Sequence, residues 1–513
     1  MTDSRLCLVT GATGYIGGRL VPELLAAGHR VRVVARHPER LRDVPWFGDV
    51  EIVRGDASDS SAMGAALDSV EVAYFLLHSL NTGHGFAESE RNMAAIFGEA
   101  ALANGVSRIA YLGGIVPPGE LDDLSEHLRS RAEVGQLLRS SGVPTAEFRA
   151  AVILGSGSAS FEMLRYLTER LPAMVTPKWV RNRIQPIAIR DVLRYLVGAA
   201  DLPADVNRTF DIGGPEVLTY LEMMKRYASV SGLHRRVIVP VPVLSPKLSS
   251  LWVGLVTPVP ASIARPLVES LRHEVICGEH EIAAYIPDPP GGLIRFDDAI
   301  KSALKRIQDA DVATRWSSAS VWGAPAEPLP SDPAWSGGTL YSDVRSVEVK
   351  ASQHSTWRVV EGVGGDNGWY SFKLAWRVRG WLDRAVGGVG LRRGRRSPAT
   401  LMIGETVDFW RVEEIDREKL LRLRAEMKVP GLAWLEYTVA SNESGQTVLG
   451  QRATFYPRGL AGHAYWWSVA PFHRFVFVPM VHNMARKAEA LENAILAGRP
   501  ANEQREVLEE PLG

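Results

Sequence analysis

Gly11-Ala12-Thr13-Gly14-Tyr15-Ile16-Gly17 places three glycines at intervals of three residues. The apolar run Leu6–Thr10 precedes it, and a helical pattern from about Tyr15 to Ala27 follows. Between a strand and a helix, such glycines permit a tight turn and close approach of backbone to a pyrophosphate. The helix start adds free N–H groups and the positive end of its dipole. The spacing differs from the Gly-x-Gly-x-x-Gly of simple dehydrogenases. Arg36 closes the next apolar run, Val31–Ala35, where the adenosine ribose of a dinucleotide belongs. An acid there would bond free ribose hydroxyls, whereas an arginine suits a 2′-phosphate, so NADP(H) is expected ahead of NAD(H). Asp56, in Gly55-Asp56-Ala57-Ser58-Asp59, either accepts a bond from the adenine amino group or caps a turn.

The elements that must position these groups follow a βαβ rhythm. Further strands are expected at Val50–Val53, Val72–Leu77, Arg108–Leu112 and Thr145–Phe148, with helices between them and Gly28 ending the first helix. This is the pattern of a doubly wound, parallel α/β sheet of Rossmann type. The 513 residues allow about three or four domains, and 46% hydrophobic content supplies real cores. Fifty-eight basic residues balance fifty-eight acidic ones, which argues against a global grip on nucleic acid. Two cysteines, Cys7 and Cys277, point to a reducing, cytoplasmic setting. No apolar run reaches membrane-spanning length, and the N-terminus has no signal-peptide pattern.

Thr10-Gly11-Ala12-Thr13-Gly14-Tyr15-Ile16-Gly17 resembles the fingerprint of the extended and atypical short-chain dehydrogenase/reductases. So do Val31–Arg36, Gly55-Asp56, Gln185–Val192 and Phe210–Glu216, and the similarity covers about residues 4–310. It implies that Gly11, Thr13, Gly14, Tyr15, Ile16, Gly17, Arg36, Asp56, Leu76, Leu77 and His78 line the dinucleotide, with Tyr111 beside the nicotinamide. Active members carry Tyr-x-x-x-Lys on one helix face, and no tyrosine here has lysine four residues later. In the stretch Ser125–Glu133, His127 stands at the tyrosine position and Arg131 at the lysine position. Glycines, Gly113 and Gly114, replace the serine that often ends the fifth strand. Two readings stay open. His127, with an ordinary pKa near 6.5, acts as general acid beside Arg131 as ribose clamp; or the pair has decayed and the domain only binds nucleotide.

Other clusters carry less. His273-Glu274-x-x-Cys277-x-x-His280 is broken by Gly278 in an extended context, so no metal site is expected. Gly155–Ser160 lacks the spacing of a nucleophile elbow and is expected beside the substrate cleft, with Phe161, Met163 and Tyr166 as its apolar wall or as plain helix core. Pro240–Pro266 is apolar but broken by prolines. It reads as a connection within the substrate lobe, with peripheral membrane contact the less favoured alternative.

Past residue 310 the character changes. Eleven of the fourteen tryptophans follow it, and a proline-rich linker over 311–340 leads to a second domain over 341–495 and a flexible tail over 496–513. Strands are expected around Val347, at Thr406–Arg411, Trp434–Val439 and Gln446–Phe455, then a helix from Pro471 to Leu496. The stretch from Gly431 through Phe455–Leu460 to Trp467 is similar to the START-like (SRPBCC) superfamily, most of all to an uncharacterised bacterial family found fused to atypical short-chain reductases. That implies an α+β helix-grip fold with an apolar cavity. Trp434, Phe455, Trp466, Trp467 and Phe475 would line it, or form ordinary core. Arg392, Arg393, Arg395 and Arg396 form a basic loop, either solvated or facing an anionic group. The expected partner is an apolar small molecule: a carbonyl or quinone-like substrate, or a ligand of a non-catalytic NADP(H)-responsive protein. The oligomeric state is left open.

Overall fold

Short strands made almost wholly of apolar residues need cover on both faces, which a parallel sheet flanked by helices provides. The computed structural model describes residues 4–42, 44–78, 86–117, 119, 124–241, 256–257, 259–309, 339–365, 368–370, 400–427, 429–442 and 444–500. The chain divides into two units, Met1–Gly338 and Thr339–Gly513. Residues 242–255, most of the expected linker, the Arg392–Arg396 loop and the tail from residue 501 lie outside the described residues.

The first unit opens with β1 (Leu6–Thr10), β2 (Arg30–Ala35), β3 (Glu51–Arg54), β4 (Val72–Phe75), β5 (Arg108–Gly114) and β6 (Thr145–Ala150). The short pieces β7 (Ile153–Leu154), β8 (Ala173–Pro177), β9 (Arg183–Ile184) and β10 (Ile187–Ala188) precede β11 (Arg208–Ile212), and β12 (Leu218–Thr219) and β13 (Val237–Val241) follow it. Seven strands form one parallel sheet in the order β3-β2-β1-β4-β5-β6-β11. Its helices are α1 (Tyr15–Ala26), α2 (Ser60–Leu67), α3 (Phe86–Ala103), α4 (Glu126–Arg139), α5 (Ala159–Arg170), α6 (Ile189–Gly198), α7 (Tyr220–Val230), α8 (Ala261–Ser270) and α9 (Phe296–Asp309). Leu20, Leu24, Val192 and Leu196 of α1 and α6 fill one core on the sheet; Met63, Phe97, Val134 and Leu138 of α2, α3 and α4 fill another. Gly28 ends α1 as the sequence predicts: its φ is +89°, and the His29 and Gly28 N–H groups donate to Leu24 and Leu25 carbonyls at 3.1 and 3.0 Å, a Schellman closure. Helices α5, α7 and α9 pack as a separate lobe around Phe161, Leu164, Met223, Tyr227 and Ile300.

The second unit is an antiparallel sheet in the order β14-β19-β18-β17-β16-β15. Its strands are β14 (Tyr341–Val349), β15 (Thr406–Val407), β16 (Trp410–Asp416), β17 (Leu420–Ala425), β18 (Gly431–Ser441) and β19 (Thr447–Pro457). With α10 (Gln353–Glu361) and α11 (Gly459–Leu496) it encloses Trp357, Val360, Leu423, Leu435, Tyr437, Met480 and Leu491. The expected strand at Thr406–Arg411 is split by Asp408 at φ +54°. Strand β17 escaped the apolar pattern because Arg422 interrupts it; that arginine is buried and paired with Glu436 at 2.8 Å. Helix α11 begins at Gly459, twelve residues before the expected Pro471. Pro471 and Pro479 are tolerated inside it because their exposed side meets water, as do Trp467 and Phe475 four residues before each. This corrects the expected cavity lining. Trp434, Phe455 and Trp466 are buried, but Trp467 and Phe475 are 66% and 71% exposed.

Asp191 on α6 is a buried carboxyl whose Oδ2 accepts from the Ile294 N–H at 3.0 Å, while Oδ1 has no partner among the described residues. Burial pushes it up to about 7; the Ile294 bond and Arg194 oppose that rise and Asp288 adds to it. A carboxyl raised when folded holds a proton that the unfolded chain releases. Its contribution to stability therefore falls as pH rises from about 4 to about 7 and stays low above that. Thermal melts of Asp191→Asn should match wild type near pH 5 and run a few degrees higher at pH 8, a gain on the order of 1–2 kcal/mol. Parallel melting curves across that range would show that Asp191 carries no such load.

Candidate functional site

The carboxyl ends of β1 and β4, where the strand order reverses, carry the glycine turn. Gly11 has φ +69°, and a Cβ there would stand 2.7 Å from the Leu76 carbonyl oxygen. A Cβ on Gly17 would lie 2.4 Å from the Gly11 carbonyl oxygen, and one on Gly14 would lie 3.1 Å from the same atom. The turn is closed by the Gly14 N–H donating to the Gly11 carbonyl at 2.8 Å. Buried Thr10 ties it to β4: its hydroxyl donates to the Tyr74 carbonyl at 2.9 Å and accepts from the Leu76 N–H at 3.0 Å. Helix α1 starts with Gly14 as N-cap and no side-chain cap, so its first turn presents backbone N–H groups, those of Ile16 and Gly17 among them, toward the glycine turn. A cradle of bare backbone with a helix N-terminus aimed into it fits a diphosphate. Thr13, Tyr15 and Ile16 are half-buried around it, with the Arg19 guanidinium 4.2 Å from the Tyr15 ring.

Arg36 extends from the end of β2, 72% exposed, with a guanidinium nitrogen 3.9 Å from Asp56 Oδ2. Asp56 Oδ1 accepts from the Ser58 N–H and hydroxyl at 2.9 and 2.7 Å. Those bonds, with Arg36 adding a smaller share, hold its carboxyl below the usual range. Asp56 thus does the turn-capping work, and Oδ2 faces Arg36.

After β4 come Leu76 and Leu77, both half-buried, and then His78. His78 Nδ1 lies 2.7 Å from Glu90 Oε1, and the Ser130 hydroxyl donates to Glu90 Oε2 at 2.6 Å. Burial opposes the Glu90 charge, yet His78, Arg131 and Ser130 outweigh it and the carboxyl falls to about 2. An ionised Glu90 fixes the proton of His78 on Nδ1, which leaves Nε2 as an acceptor in the neutral ring. Glu90 was not singled out from sequence. Its signal was its place on the buried stripe of α3, on the same face as Ala94, Phe97 and Ala101.

Helix α4 is capped by Ser125, whose hydroxyl accepts from the Leu128 N–H at 3.3 Å, and this sets His127 and Arg131 on one face. The His127 and His78 rings lie 5.0 Å apart, and His127 Nδ1 has no partner among the described residues. Burial first, then His78 and Arg131, hold its pKa well below the ordinary value. His127 is therefore neutral at physiological pH and does not carry the spare proton that an ordinary imidazole near 6.5 would supply. Arg131 is anchored at the strand end. One amino group donates to the Leu112 carbonyl, and the guanidinium lies over the Tyr111 ring at 4.9 Å. Tyr111 itself is fully buried in the core beside α4, its hydroxyl on the Arg131 carbonyl at 3.1 Å, so its side chain packs inside the sheet–helix layer rather than at the open end of the strand. Strand alternation explains this: Tyr111 and Leu112 face opposite sides of the sheet.

His127 also borders a cavity of about 70 Å³. Gly114 at the end of β5, Ile115 after it, Val152, Met163, Leu267 and Leu271 supply its apolar walls, and Ser160, Tyr220 and Ser270 its hydroxyls. Of the expected wall, Met163 is in place, while Phe161 is fully buried in the lobe core. Glu274, once read beside possible metal ligands, pairs with Arg183 at 2.8 Å.

A dinucleotide cradle at the switch point of a parallel sheet, next to an apolar cavity, defines an NAD(P)H-binding Rossmann domain of reductase type. Residues 11–144 match a family described as NAD(P)H-binding, and residues 335–480 match one described as a protein of unknown function, DUF2867. The (4-alkanoyl-5-oxo-2,5-dihydrofuran-3-yl)methyl phosphate reductase of Streptomyces griseus is 30% identical over 236 residues, 44% of this chain and 74% of that protein. Pinoresinol reductase 1 of Arabidopsis thaliana is 26% identical over 260 residues, 45% and 76% of the two chains. The Citrobacter sp. triphenylmethane reductase complexed with NADP(H) aligns at 20% identity with a TM-score of 0.46, over 58% of this chain and 99% of that one. The chain belongs, through its first unit, to the NAD(P)H-binding reductases of atypical short-chain type.

Gly17→Ala should force the Gly11 turn to open and weaken NADPH binding at least tenfold, with the circular dichroism of the fold retained. Calorimetric titration with NADPH checks it; an unchanged affinity would dissociate the turn from the cofactor.

Proposed function

We propose that the protein is an NADPH-dependent reductase of an apolar carbonyl or quinone-like small molecule. The observation that carries this reading is the apolar cavity bordered by His127 and Gly114, at the same carboxyl end of the parallel sheet as the glycine cradle. When bound, the reduced nicotinamide supplies a hydride. The N–H groups of α1 would hold the diphosphate, Arg36 the 2′-phosphate, and His78, oriented by Glu90, would offer Nε2 to the bound nucleotide. The walls from Ile115 to Val275 exclude water and select a lipophilic substrate. The relatives above are reductases by name, which supports the class of reaction and leaves the substrate open.

A second reading, an NADP(H)-responsive binding protein, is favoured by one observation: His127 is neutral and Arg131 is tied to the strand end, so the usual pair is missing. For the second unit we retain the START-like reading, supported by six antiparallel strands around a 38-residue helix with a shared apolar core. Among the described residues, no helix is long and apolar enough to cross a membrane. A cytoplasmic, reducing setting fits the two free thiols, Cys7 and Cys277.

Full-length protein should consume NADPH with at least one member of a panel of lipophilic ketones and quinones. Wild type and His127→Ala that both bind NADPH and are equally idle would leave the binding role standing. Arg36→Ala should weaken NADPH about tenfold or more and leave NADH within twofold, since it removes a charge-assisted contact that only the 2′-phosphate makes. Equal losses for the two coenzymes would assign Arg36 to general electrostatics.

A further inference from the structure

A lipophilic carbonyl in this cavity needs one donor for its oxygen, because an unpaired buried oxygen costs binding energy. The hydroxyls present are not equivalent. Ser270 donates to the Pro266 carbonyl at 2.8 Å and shares a bond with Ser125 Oγ at 3.0 Å. Ser160 is half-buried, so water can satisfy it. His127 is neutral and forms part of the opposite wall, on α4. Tyr220 is 4% exposed and lines the cavity, and its hydroxyl makes no hydrogen bond to a described residue. That hydroxyl is open to the cavity rather than sealed in the core, so a ligand entering the cavity is placed to take its hydrogen bond.

The ring is also held firmly. Tyr220 is the first residue of α7, directly after a capping box in which Thr219 Oγ1 accepts from the Glu222 N–H at 3.1 Å and Glu222 Oε2 accepts from the Thr219 N–H at 2.7 Å. Its apolar edge packs in the lobe core with Phe161, Met223 and Met224. Burial alone raises its phenol far above the ordinary value, so the hydroxyl stays a donor through the physiological range.

We propose that Tyr220 is the polar anchor of the cavity, donating its phenolic O–H to the carbonyl oxygen of an apolar ketone or quinone and passing that proton on during reduction. The assignment rests on the reductase reading above. As the carbonyl carbon gains a hydride from the reduced nicotinamide, its oxygen takes the proton. The alcohol O–H forms as the Tyr220 O–H breaks, and the phenolate takes its proton back from solvent once the alcohol has left the cavity. The donor thus comes from the substrate lobe, whereas the resemblance would have it on α4.

The test uses full-length protein saturated with NADP⁺ and two probes of one shape, acetophenone and ethylbenzene, titrated by calorimetry. Wild type should bind the ketone about tenfold tighter. Tyr220→Phe should erase that preference, keep ethylbenzene within twofold, and leave the melting temperature and NADPH affinity unchanged. In wild type the carbonyl carbon of bound ¹³C-labelled acetophenone should move downfield, as a hydrogen-bonded carbonyl does, a readout that needs no variant to fold. An unshifted resonance, an unchanged ketone preference in Tyr220→Phe, or parallel loss of both probes overturns the anchor. Wild type that binds neither probe overturns the anchor and the apolar substrate class together. Ketone-selective binding without NADPH consumption by any carbonyl retires the reductase reading and leaves the anchor.

Discussion

Gly17 lies under the carbonyl of Gly11 with no room for a side chain, and Gly11 lies under the carbonyl of Leu76 in the same way. Two close backbone crossings at one corner of the sheet decide where everything else sits. They bring the start of α1 to the ends of β1 and β4, and the Thr10 hydroxyl bonds the two strand ends together. An anion meets backbone dipoles there that cannot reorient, so little is lost in organising them when it binds. Had either glycine a Cβ, the turn would have to swell, and the first N–H groups of α1 would no longer converge.

Glu90 exerts a second, electrostatic constraint. A carboxylate on the buried stripe of α3 is costly unless its oxygens are bonded, and here one meets His78 and the other Ser130. The loop after β4, helix α3 and helix α4 are thereby tied at one point. The same cluster accounts for His127. Its ring is buried against His78 with the Arg131 guanidinium close by, so a positive imidazole there would lose its hydration and face a second cation. Neutral His127 is thus a consequence of how the site is built, and the sequence position alone does not reveal it.

Where the fold was legible, local rules and tertiary structure agreed. The apolar runs from Leu6 to Phe148 became strands, Gly28 became a Schellman glycine, and the glycine run became the turn before α1. Legibility failed where long-range partners overrode local pattern. Arg422 looks like a surface residue until Glu436, fourteen positions on, pairs with it across the sheet. Pro471 reads as a helix start, but it lies inside α11 on the water-facing side, where solvent can bond the carbonyl it leaves without a donor and packing of the opposite face carries the helix through. Tyr111 could be placed on a strand from sequence but not on a face of it, because β5 is buried on both sides and offers no alternation to read. Glu90 and Thr10 gained their roles from partners twelve and sixty-four residues away.

The missing tyrosine–lysine pair has a structural counterpart rather than a mere gap. With Arg131 spent on Leu112 and Tyr111, and Gly113 and Gly114 in place of a serine, the α4 side offers only a neutral imidazole and bare backbone. The cavity's other walls come from Ala150 to Val152 at the end of β6, from α5, α7 and α8, and from Leu271 and Val275. Of the cavity's hydroxyls, those of Ser160, Tyr220 and Ser270 all come from these helices and none from the sheet ends. On the proposed reading, selection of substrate and supply of a hydrogen-bond donor fall to the same elements, so a change in those helices would alter both together while the nucleotide cradle stays as it is.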